Sequence, residues 1–218
     1  MKKNQRTKTD PRANLLLQGR LHDPFSYLGL HREQDGYVIR VFNPHAGEVA
    51  METARGDETM QRTHPAGLFE WRGASEPPRP YRLRLTEGGA QRQIYDPYSF
   101  APQISSFDLH LFNEGRLHQG YRILGSHAMQ IDGIPGVRFA VWAPNAERVS
   151  VVGEFNRWDG RIHPMAAHGS SGVWELFIPG IEIGVLYKFE IFNVAGMLLT
   201  KTDPYASAFE MRPGTAAR

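Results

Sequence analysis

The feature that most constrains the fold is an internal repeat, in which the same motifs occur twice, in the same order, about 100 residues apart. The matching segments are VFNPHA (41–46) with VWAPNA (141–146), GLFEWRG (67–73) with GVWELFIPG (172–180), YDPYSFAP (95–102) with TDPYASAF (202–209), and YLGLH (27–31) with ILGSH (123–127). Tyr81 of YRLRLT corresponds to Tyr187 of YKFEIF, and the offset grows from 96 to 107 residues. A repeat this long indicates a duplicated domain rather than a solenoid unit. We therefore predict two tandem copies of one fold, joined near residues 105–125.

Short alternating segments predict that each copy is a β-sandwich. The strand candidates are 37–44, 68–71, 81–86, 136–144, 149–152, 173–179 and 187–192. In segment 81–86, Tyr81, Leu83 and Leu85 share one face, while Arg82 and Arg84 share the other. The many glycines and prolines, 22 and 15, separate these strands by turns. The predicted fold class is all-β, with two tandem immunoglobulin-like β-sandwiches.

The beginning of the chain predicts one short helix. Asp10 suits the N-cap and Pro11 the first helical turn, Leu15 to Leu17 supply an apolar patch, and Gly19 suits the end. One or two helical turns are also expected within residues 105–115. The predicted organisation is a flexible tail at 1–14, an N-terminal sandwich at 15–110 and a second sandwich at 111–218.

Composition and spacing exclude several classes of function. The formal net charge is +2, which lacks the dense basic face of a nucleic-acid-binding protein. Cysteine is absent, and the nine histidines show no metal-ligand spacing, so we expect neither a metal nor a cofactor. The sequence has no apolar run of about 20 residues and no signal peptide at its basic start. We expect a cytoplasmic protein that binds neither nucleic acid nor a membrane.

The segment VSVVGEFNRWDGRIHPM (149–165) raises the central question about function. Its alternating start predicts a strand, and Asn156, Asp159 and Gly160 then predict a turn. Trp158 lies within that turn. A large aromatic side chain at such a place is either packed under the edge of the sheet or presented to a ligand.

Several other motifs are assigned structural roles. The Asp-Pro-Tyr at the end of each copy is expected to form a turn, in which the aspartate accepts hydrogen bonds from backbone amides two residues on. Four histidines near turns are expected at the surface or in structural hydrogen bonds: His22, His31, His127 and His163. Three tryptophans are expected in the cores: Trp71, Trp142 and Trp174.

Four segments of the second copy resemble the family 48 carbohydrate-binding module of the glycogen (1,4-α-glucan) branching enzymes. They are VRFAVWAPNAERVSVVGEFNRWDGRIHPM (137–165), GVWELFIPG (172–180), LYKFEI (186–191) and KTDPYASAFEMRPGTA (201–216). LLQGRLHDPFSYLGLH (16–31) resembles the start of the additional N-terminal domain of many bacterial members. The likeness covers nearly the whole chain from about Leu15. It is specific in the second copy and looser in the first.

The resemblance implies an accessory role in a larger enzyme. Such enzymes cut an α-1,4 bond and pass the glucan segment to a 6-hydroxyl. A carboxylate nucleophile and an acid/base carboxyl do this about 5 Å apart, in a (β/α)₈ barrel that follows the module. Up to Arg218 the sequence shows no run of βα units for a barrel. We therefore assign no catalytic residue. We expect a non-catalytic N-terminal part, from a truncated gene or a fragment, whose partners are α-glucan and the barrel.

The resemblance also names candidate glucan-binding residues. In related modules a tryptophan after the "FN" turn stacks on a sugar, assisted by a lysine of the "YKF" strand and a tryptophan of the last hairpin. Trp158 and Lys188 match the first two, and the Asn156 amide lies in the same turn. The last hairpin, NVAGMLLTKTDP (193–204), has no aromatic residue. Two interpretations stay open: a glucan-associated accessory region, or an immunoglobulin-like interaction module without sugar affinity, whose Trp158 turn packs against the barrel.

Overall fold

The computed structural model of the chain describes residues 10–218. Over that range it contains four antiparallel β-sheets and two short α-helices. Two sheets pack around each of two apolar cores, so the predicted all-β fold with two sandwiches is confirmed. Residues 1–9 of the predicted tail lie outside the described residues.

The first sandwich contains eight strands in two sheets. These are β1 Gly29–Glu33, β2 Gly36–Phe42, β3 Glu48–Thr53, β4 Gly56–Thr59, β5 Gln61–His64, β6 Leu68–Gly73, β7 Arg82–Glu87 and β8 Ala90–Tyr95. One sheet has the order β1-β2-β6-β5 and the other the order β4-β3-β7-β8. The inward faces meet in one core, where Ile39 and Phe69 of the first sheet pack with Val49, Leu83 and Leu85 of the second.

The second sandwich contains seven strands. These are β9 Gly125–Ile131, β10 Ile134–Trp142, β11 Ala146–Gly153, β12 Ala166–Ala167, β13 Val173–Pro179, β14 Tyr187–Asn193 and β15 Leu198–Lys201. One sheet has the order β12-β13-β10-β9 and the other the order β11-β14-β15. Phe139 and Trp174 of the first sheet pack with Val149, Val151 and Phe189 of the second.

All seven predicted strands are present, with ends that differ by a few residues. Strand β13 has the predicted bounds, and Tyr81, Leu83 and Leu85 share the buried face as expected. Eight further strands were not predicted: β1, β3, β4, β5, β8, β9, β12 and β15. Strands β4 and β8 are mostly exposed at the edges of their sheet, so their sequences lack apolar alternation.

The two helices follow the predicted local sequence. Helix α1, Pro11–Leu17, begins after Asp10, whose side chain accepts a hydrogen bond from the Arg12 amide at 2.9 Å. Leu16 is buried, and Gly19 ends the turn with a φ of 66°. Helix α2, Ser106–Asn113, begins with an N-cap at Ser105. It covers the outer face of the β10 sheet through a smaller cluster that includes Ile104 and Ala140.

The duplication is visible in matched contacts that close each sandwich. Asp96 accepts hydrogen bonds from Tyr81 Oη and from the Tyr98 amide, as the predicted Asp-Pro-Tyr turn requires. Asp203 repeats both bonds with Tyr187 and Tyr205. Asp203 is 1% exposed, so the structural role expected for the aspartate of this turn is confirmed.

The histidine assignments agree with the structure. His31 Nε2 lies 2.9 Å from the Leu28 carbonyl, and His127 Nε2 lies 2.9 Å from the Leu124 carbonyl. His22 Nδ1 lies 2.9 Å from the backbone carbonyl of Glu147, and the His22 ring meets the Trp174 ring edge-on with centroids 4.9 Å apart.

The two sandwiches contact each other directly. Tyr98 Oη donates to the Pro164 carbonyl at 3.0 Å, and Arg20 pairs with Glu147 at 2.8 Å. The predicted division of the chain at residues 14 and 110 stays a prediction. Helix α1 begins inside the range assigned to the tail, and α2 spans the predicted second boundary.

Candidate functional site

The turn that carries Trp158 is held by a buried asparagine. Asn156 is 2% exposed and ends a short 3-10 turn, Glu154–Asn156, that follows β11. Its Oδ1 accepts from the Gly153 amide at 2.9 Å, and its Nδ2 donates to the Val151 carbonyl at 2.9 Å. Nδ2 also lies 3.0 Å from His163 Nδ1. The side chain of Asn156 therefore fixes the backbone of the turn from inside.

His163 completes this buried network as a neutral side chain. Burial, with a smaller contribution from the Arg92 charge, lowers the pKa of His163 to about 3. An uncharged imidazole has one nitrogen free to accept a hydrogen bond. Nδ1 accepts from Asn156 Nδ2, so the ring proton lies on Nε2. The polar interior of the turn is thus satisfied without a charge.

Trp158 lies on a strained backbone. Arg157 and Trp158 have φ angles of 57° and 59°, a left-handed conformation that is rare for bulky residues. The Trp158 amide closes the turn by donating to the Gly153 carbonyl at 2.9 Å. Trp158 is 40% exposed. The ring is therefore neither fully packed nor free, and strain of this kind is concentrated at functional sites.

The indole lines an open cleft of about 490 Å³ between the two sandwiches, here called the Trp158 cleft. Its walls include residues from both halves of the chain: Leu17, Gln18, His45, Trp158, Glu190, Phe192 and Leu198. Phe192 of β14 lies opposite Leu198 of β15 in the sheet register, so the two provide adjacent apolar surface. The cleft combines aromatic, aliphatic and polar groups.

The charged groups around the cleft are paired. Arg148 binds Glu190 at 2.7 Å and donates to the Gly160 carbonyl at 2.9 Å. Burial acts to raise the pKa of Asp159, but the hydrogen bonds that Arg161 donates outweigh it and lower that pKa. These ion pairs hold the walls in place and leave no strong net charge. The cleft is therefore suited to a neutral polar ligand rather than to an ion.

The second candidate, Lys188, lies on β14 opposite Val152. Its ammonium donates to Thr215 Oγ1 at 2.8 Å. Side chains two residues apart share a face of a strand, so Lys188 lies on the same face as Glu190, which lines the cleft. The structure thus places Trp158 and Glu190 at the cleft, Lys188 beside it, and Asn156 beneath its turn.

The other tryptophans divide between core and surface. Trp174 is 2% exposed, which confirms its assignment to the core. The same assignment is wrong for Trp142, which is 54% exposed at the end of β10. Its side chain points to the outer face of the sheet, where the Phe112 ring of α2 meets it with ring centroids 6.1 Å apart. Trp71 is partly buried against the first core and donates to Glu58 Oε2 at 2.7 Å.

Sequence reasoning missed the contribution of the first sandwich to the cleft. Gln18 follows α1, and His45 lies in the turn after β2. Both lie more than 100 residues from Trp158 in the sequence, and no local pattern marks either residue. Only the packing of the two sandwiches brings them together.

Over residues 10–218, no group of three or more His, Asp or Glu side chains is placed to hold a metal ion. Within the same residues, no helix has the length and apolar character needed to cross a membrane.

Comparison with known proteins assigns both halves of the chain. Residues 10–98 match the family described as alpha-1,4-glucan branching enzyme GlgB, N-terminal domain. Residues 123–206 match the family described as Carbohydrate-binding module 48 (Isoamylase N-terminal domain). The second match contains the Trp158 turn and the three strands that line the cleft, β11, β14 and β15.

Curated relatives with the name 1,4-alpha-glucan branching enzyme GlgB match almost the whole chain. The protein of Nitrosospira multiformis is 60% identical over 217 residues, and that of Methylobacillus flagellatus is 56% identical over 214 residues. The alignments cover 97% and 98% of this chain but 29% and 30% of the relatives. The chain therefore spans less than a third of the length of these relatives.

Solved structures are more distant. A pullulanase from Anoxybacillus sp. LM18-11 aligns with 87% of this chain and 27% of its own, at 16% identity and a TM-score of 0.36. The family matches carry the assignment. This chain joins a domain of the GlgB N-terminal family to a carbohydrate-binding module 48, and so belongs to the N-terminal region of the 1,4-alpha-glucan branching enzymes.

Proposed function

We propose that this chain is a non-catalytic, glucan-associated accessory region of a 1,4-alpha-glucan branching enzyme. The observation that carries the proposal is the half-exposed indole of Trp158, held on a strained turn at a cleft. That turn lies inside the segment that matches a carbohydrate-binding module. The relatives' names support α-glucan as the polymer concerned.

The chemistry of the cleft suits a sugar chain. The apolar face of a pyranose packs on an aromatic ring, while its hydroxyls need donors and acceptors at the rim. By analogy with stacking on bases, one such ring contributes about 1–3 kcal/mol. A dissociation constant of about 1 mM corresponds to about 4 kcal/mol. The indole alone therefore supports only weak binding, and a dissociation constant of about 1 mM or lower requires further contacts from the surrounding groups.

Each candidate residue has a proposed role in this site. Trp158 is the stacking surface. Lys188 lies beside it, and its ammonium can donate a hydrogen bond to a sugar hydroxyl once it leaves Thr215. Asn156 is buried beneath the turn, so its proposed role is to hold Trp158 in position rather than to contact the sugar.

In the longer protein, the remaining two thirds or more would perform catalysis. The family resemblance implies a barrel that transfers α-1,4-glucan segments to 6-hydroxyls during glycogen synthesis in the cytoplasm. The proposed role of this region is to hold glucan near that barrel and to dock against it. We expect the chain alone to leave the iodine-stained spectrum of amylose unchanged. A loss of absorbance that survives repurification of the protein contradicts this expectation.

A second candidate function is docking without sugar affinity. Ile183, Phe209 and Met211 are 78%, 54% and 90% exposed, respectively. Large apolar side chains exposed to this degree favour a protein partner when they form a contiguous patch. In this interpretation the partner is the catalytic barrel of the same enzyme.

Titration of maltoheptaose into the chain separates the two functions. Glucan association predicts millimolar binding that falls at least about 5-fold in Trp158→Ala while the melting temperature changes little. Trp142→Ala is the matched control, because Trp142 is also an exposed tryptophan but lies on a different sheet. Binding that Trp158→Ala leaves unchanged contradicts Trp158 as the stacking residue. No binding by the wild-type chain contradicts glucan association and favours docking.

A further inference from the structure

The Trp158 cleft has one wall in each sandwich. Leu17, Gln18 and His45 come from the part of the chain that matches the GlgB N-terminal family, and Trp158 and Phe192 come from the carbohydrate-binding module. A carbohydrate-binding module that bound glucan independently would present its site on its own surface. Here the module's candidate residue instead faces a neighbouring domain.

Polar contacts fix the two walls relative to each other. Arg157, adjacent to Trp158, pairs with Glu87 of β7 at 2.6 Å. His45 Nε2 lies 3.3 Å from Asp159 Oδ2, so the two walls meet closely there, although these two atoms form no hydrogen bond. The cleft is thus a built feature of the two-domain unit rather than an accidental gap.

We propose that the glucan site is composite, with a sugar chain on Trp158 also contacting Gln18 and His45 of the first sandwich. The proposal rests on the proposed function, because it assumes that Trp158 stacks on glucan. It extends the site to residues that no module pattern contains. The ligand class is a linear α-1,4-glucan of several residues, long enough to span both walls.

Gln18 has the chemistry for this role. It is exposed at the C-terminal end of α1 and lines the cleft. Among residues 10–218, its side-chain amide forms no hydrogen bond, so both its donor and its acceptor are available to sugar hydroxyls. A primary amide offers two donors and one carbonyl acceptor, which matches neighbouring hydroxyls on a pyranose.

The apolar floor of the cleft also depends on both sandwiches. This chain lacks the aromatic residue that the module pattern has in the last hairpin, but Leu198 of that hairpin lies opposite Phe192, and both line the cleft. The Arg20 guanidinium of the first sandwich lies 5.6 Å from the centroid of the Phe192 ring. Phe192 and Leu198 thus replace the missing ring with a broader apolar surface, positioned by an arginine of the other domain.

The test is a maltoheptaose titration of the whole chain and three variants: Trp158→Ala, Gln18→Ala and Gln119→Ala. Gln119 is an exposed glutamine without a side-chain capping bond, and it lies outside the cleft. A composite site predicts that Gln18→Ala weakens binding by about 2- to 10-fold, as the loss of one or two hydrogen bonds does. Gln119→Ala is expected to bind like the wild-type chain.

A direct readout accompanies the titration. In ¹H–¹⁵N spectra of the wild-type chain, the side-chain amide resonances of Gln18 are expected to shift on addition of maltoheptaose, while those of Gln119 stay in place. If Trp158→Ala loses binding but Gln18→Ala does not, or if the Gln18 amide stays unshifted, the composite site is wrong and the proposed function stands. If Trp158→Ala binds equally well, glucan binds elsewhere, and both the stacking role of Trp158 and the composite site are wrong. If the wild-type chain does not bind, the proposed function fails and the composite site fails with it.

Discussion

Tyr187 Oη donates a 2.5 Å hydrogen bond to Oδ2 of Asp203, and both side chains are 1% exposed. The same relationship joins Tyr81 to Asp96 in the first sandwich. In each copy the aspartate follows the last strand, and the tyrosine lies at or just before the start of the preceding strand. The hydrogen bond therefore ties the segment after the last strand to the preceding strand. Because both copies keep the pair, we infer that it contributes to the stability of this fold.

Removal of the tyrosine hydroxyl is expected to destabilise the second sandwich. Tyr187→Phe leaves a buried carboxylate oxygen without its partner, which typically costs about 1–3 kcal/mol of unfolding free energy. Urea denaturation measures this loss. Tyr121→Phe changes an exposed tyrosine and serves as the control. Equal stability of the two variants contradicts a structural role for the Tyr187–Asp203 pair.

One glycine in each copy, Gly29 beside Tyr98 and Gly125 beside Tyr205, lets the Asp-Pro-Tyr turn pack closely. Gly125 has a φ of 99°, and a Cβ at that position would lie 3.1 Å from the Tyr205 carbonyl oxygen. Gly133 has a φ of 79° with no atom within 4 Å of such a Cβ. Gly133→Ala is therefore expected to cost about 1–2 kcal/mol from backbone strain alone, and Gly125→Ala about 1–3 kcal/mol more from overlap. Thermal melts of both variants test the difference, and equal melting temperatures contradict the close approach.

The fold was largely predictable because its determinants are local and repeated. Alternation identified seven of the fifteen strands, and the repeat identified two copies, but the central strand β3 was missed although Val49 and Met51 are buried. The edge strands were missed because β4 and β8 bury little, so selection for an apolar face is weak there. Trp142 was misassigned because alternation predicts which residues share a face but does not tell which face is covered. Helix α2 covers only part of the outer face, and Trp142 lies at its margin.

The candidate site was predictable only in its module half. The turn residues placed Trp158 in a loop and the family resemblance made it a candidate, whereas Gln18 enters the site through the packing of α1 near β14 and β15. No periodicity encodes such a contact. The burial of Asn156 was also not apparent, because an asparagine in a turn is equally suited to face solvent or to bind the backbone.

The network beneath the Trp158 turn predicts a pH dependence. The pKa of His163 is about 3 in the folded state, lowered chiefly by burial, against 6.5 for the exposed side chain. Below about pH 6.5 the unfolded chain therefore binds a proton that the folded chain does not. The contribution of His163 to stability is complete above this pH and falls by about 1.4 kcal/mol per pH unit as the pH drops towards 3.

The difference between two proteins isolates this effect. Burial raises the pKa of Asp96 to about 6, so its contribution runs in the opposite direction between about pH 4 and pH 6. The unfolding free energy of the wild-type chain minus that of His163→Gln cancels Asp96 and is expected to fall steadily below pH 6.5. Denaturation at pH 7.5, 6.0 and 5.0 measures it. A constant difference contradicts a neutral buried His163.

Glu175 ties the connecting segment to the second sandwich. Its carboxylate is 0% exposed and accepts from the backbone amides of Gln103 at 2.7 Å and Ile104 at 3.0 Å. Glu175→Gln places an amide donor against one of these donors and is expected to cost about 1–3 kcal/mol. Amide hydrogen exchange at residues 103 and 104 is expected to accelerate. Glu182→Gln, at an exposed position, is expected to change neither quantity. Unaltered exchange in Glu175→Gln contradicts the anchoring role.

The left-handed backbone of Trp158 gives the sharpest test of whether its ring is presented or packed. If the indole is presented to a ligand, packing of the ring does not offset the unfavourable free energy of the strained backbone. Trp158→Gly then removes the strain, because glycine adopts a φ of 59° freely. The unfolding free energy is expected to stay the same or to rise by about 1 kcal/mol, while binding of maltoheptaose is lost.

A packed indole predicts the opposite change in stability. Removal of a buried tryptophan side chain costs about 3–5 kcal/mol, which exceeds any relief of strain. Arg157→Gly is the matched control, because Arg157 has a φ of 57° and its replacement relieves similar strain while the indole remains. The Arg157 side chain is 58% exposed, and Glu87 keeps a second ion pair with Arg92 at 3.2 Å, so Arg157→Gly is expected to unfold near the wild-type midpoint. A large loss of stability in Trp158→Gly, but not in Arg157→Gly, would show that the indole stabilises the turn by packing. The backbone strain would then be offset by that packing, and the ring would not be presented to a ligand.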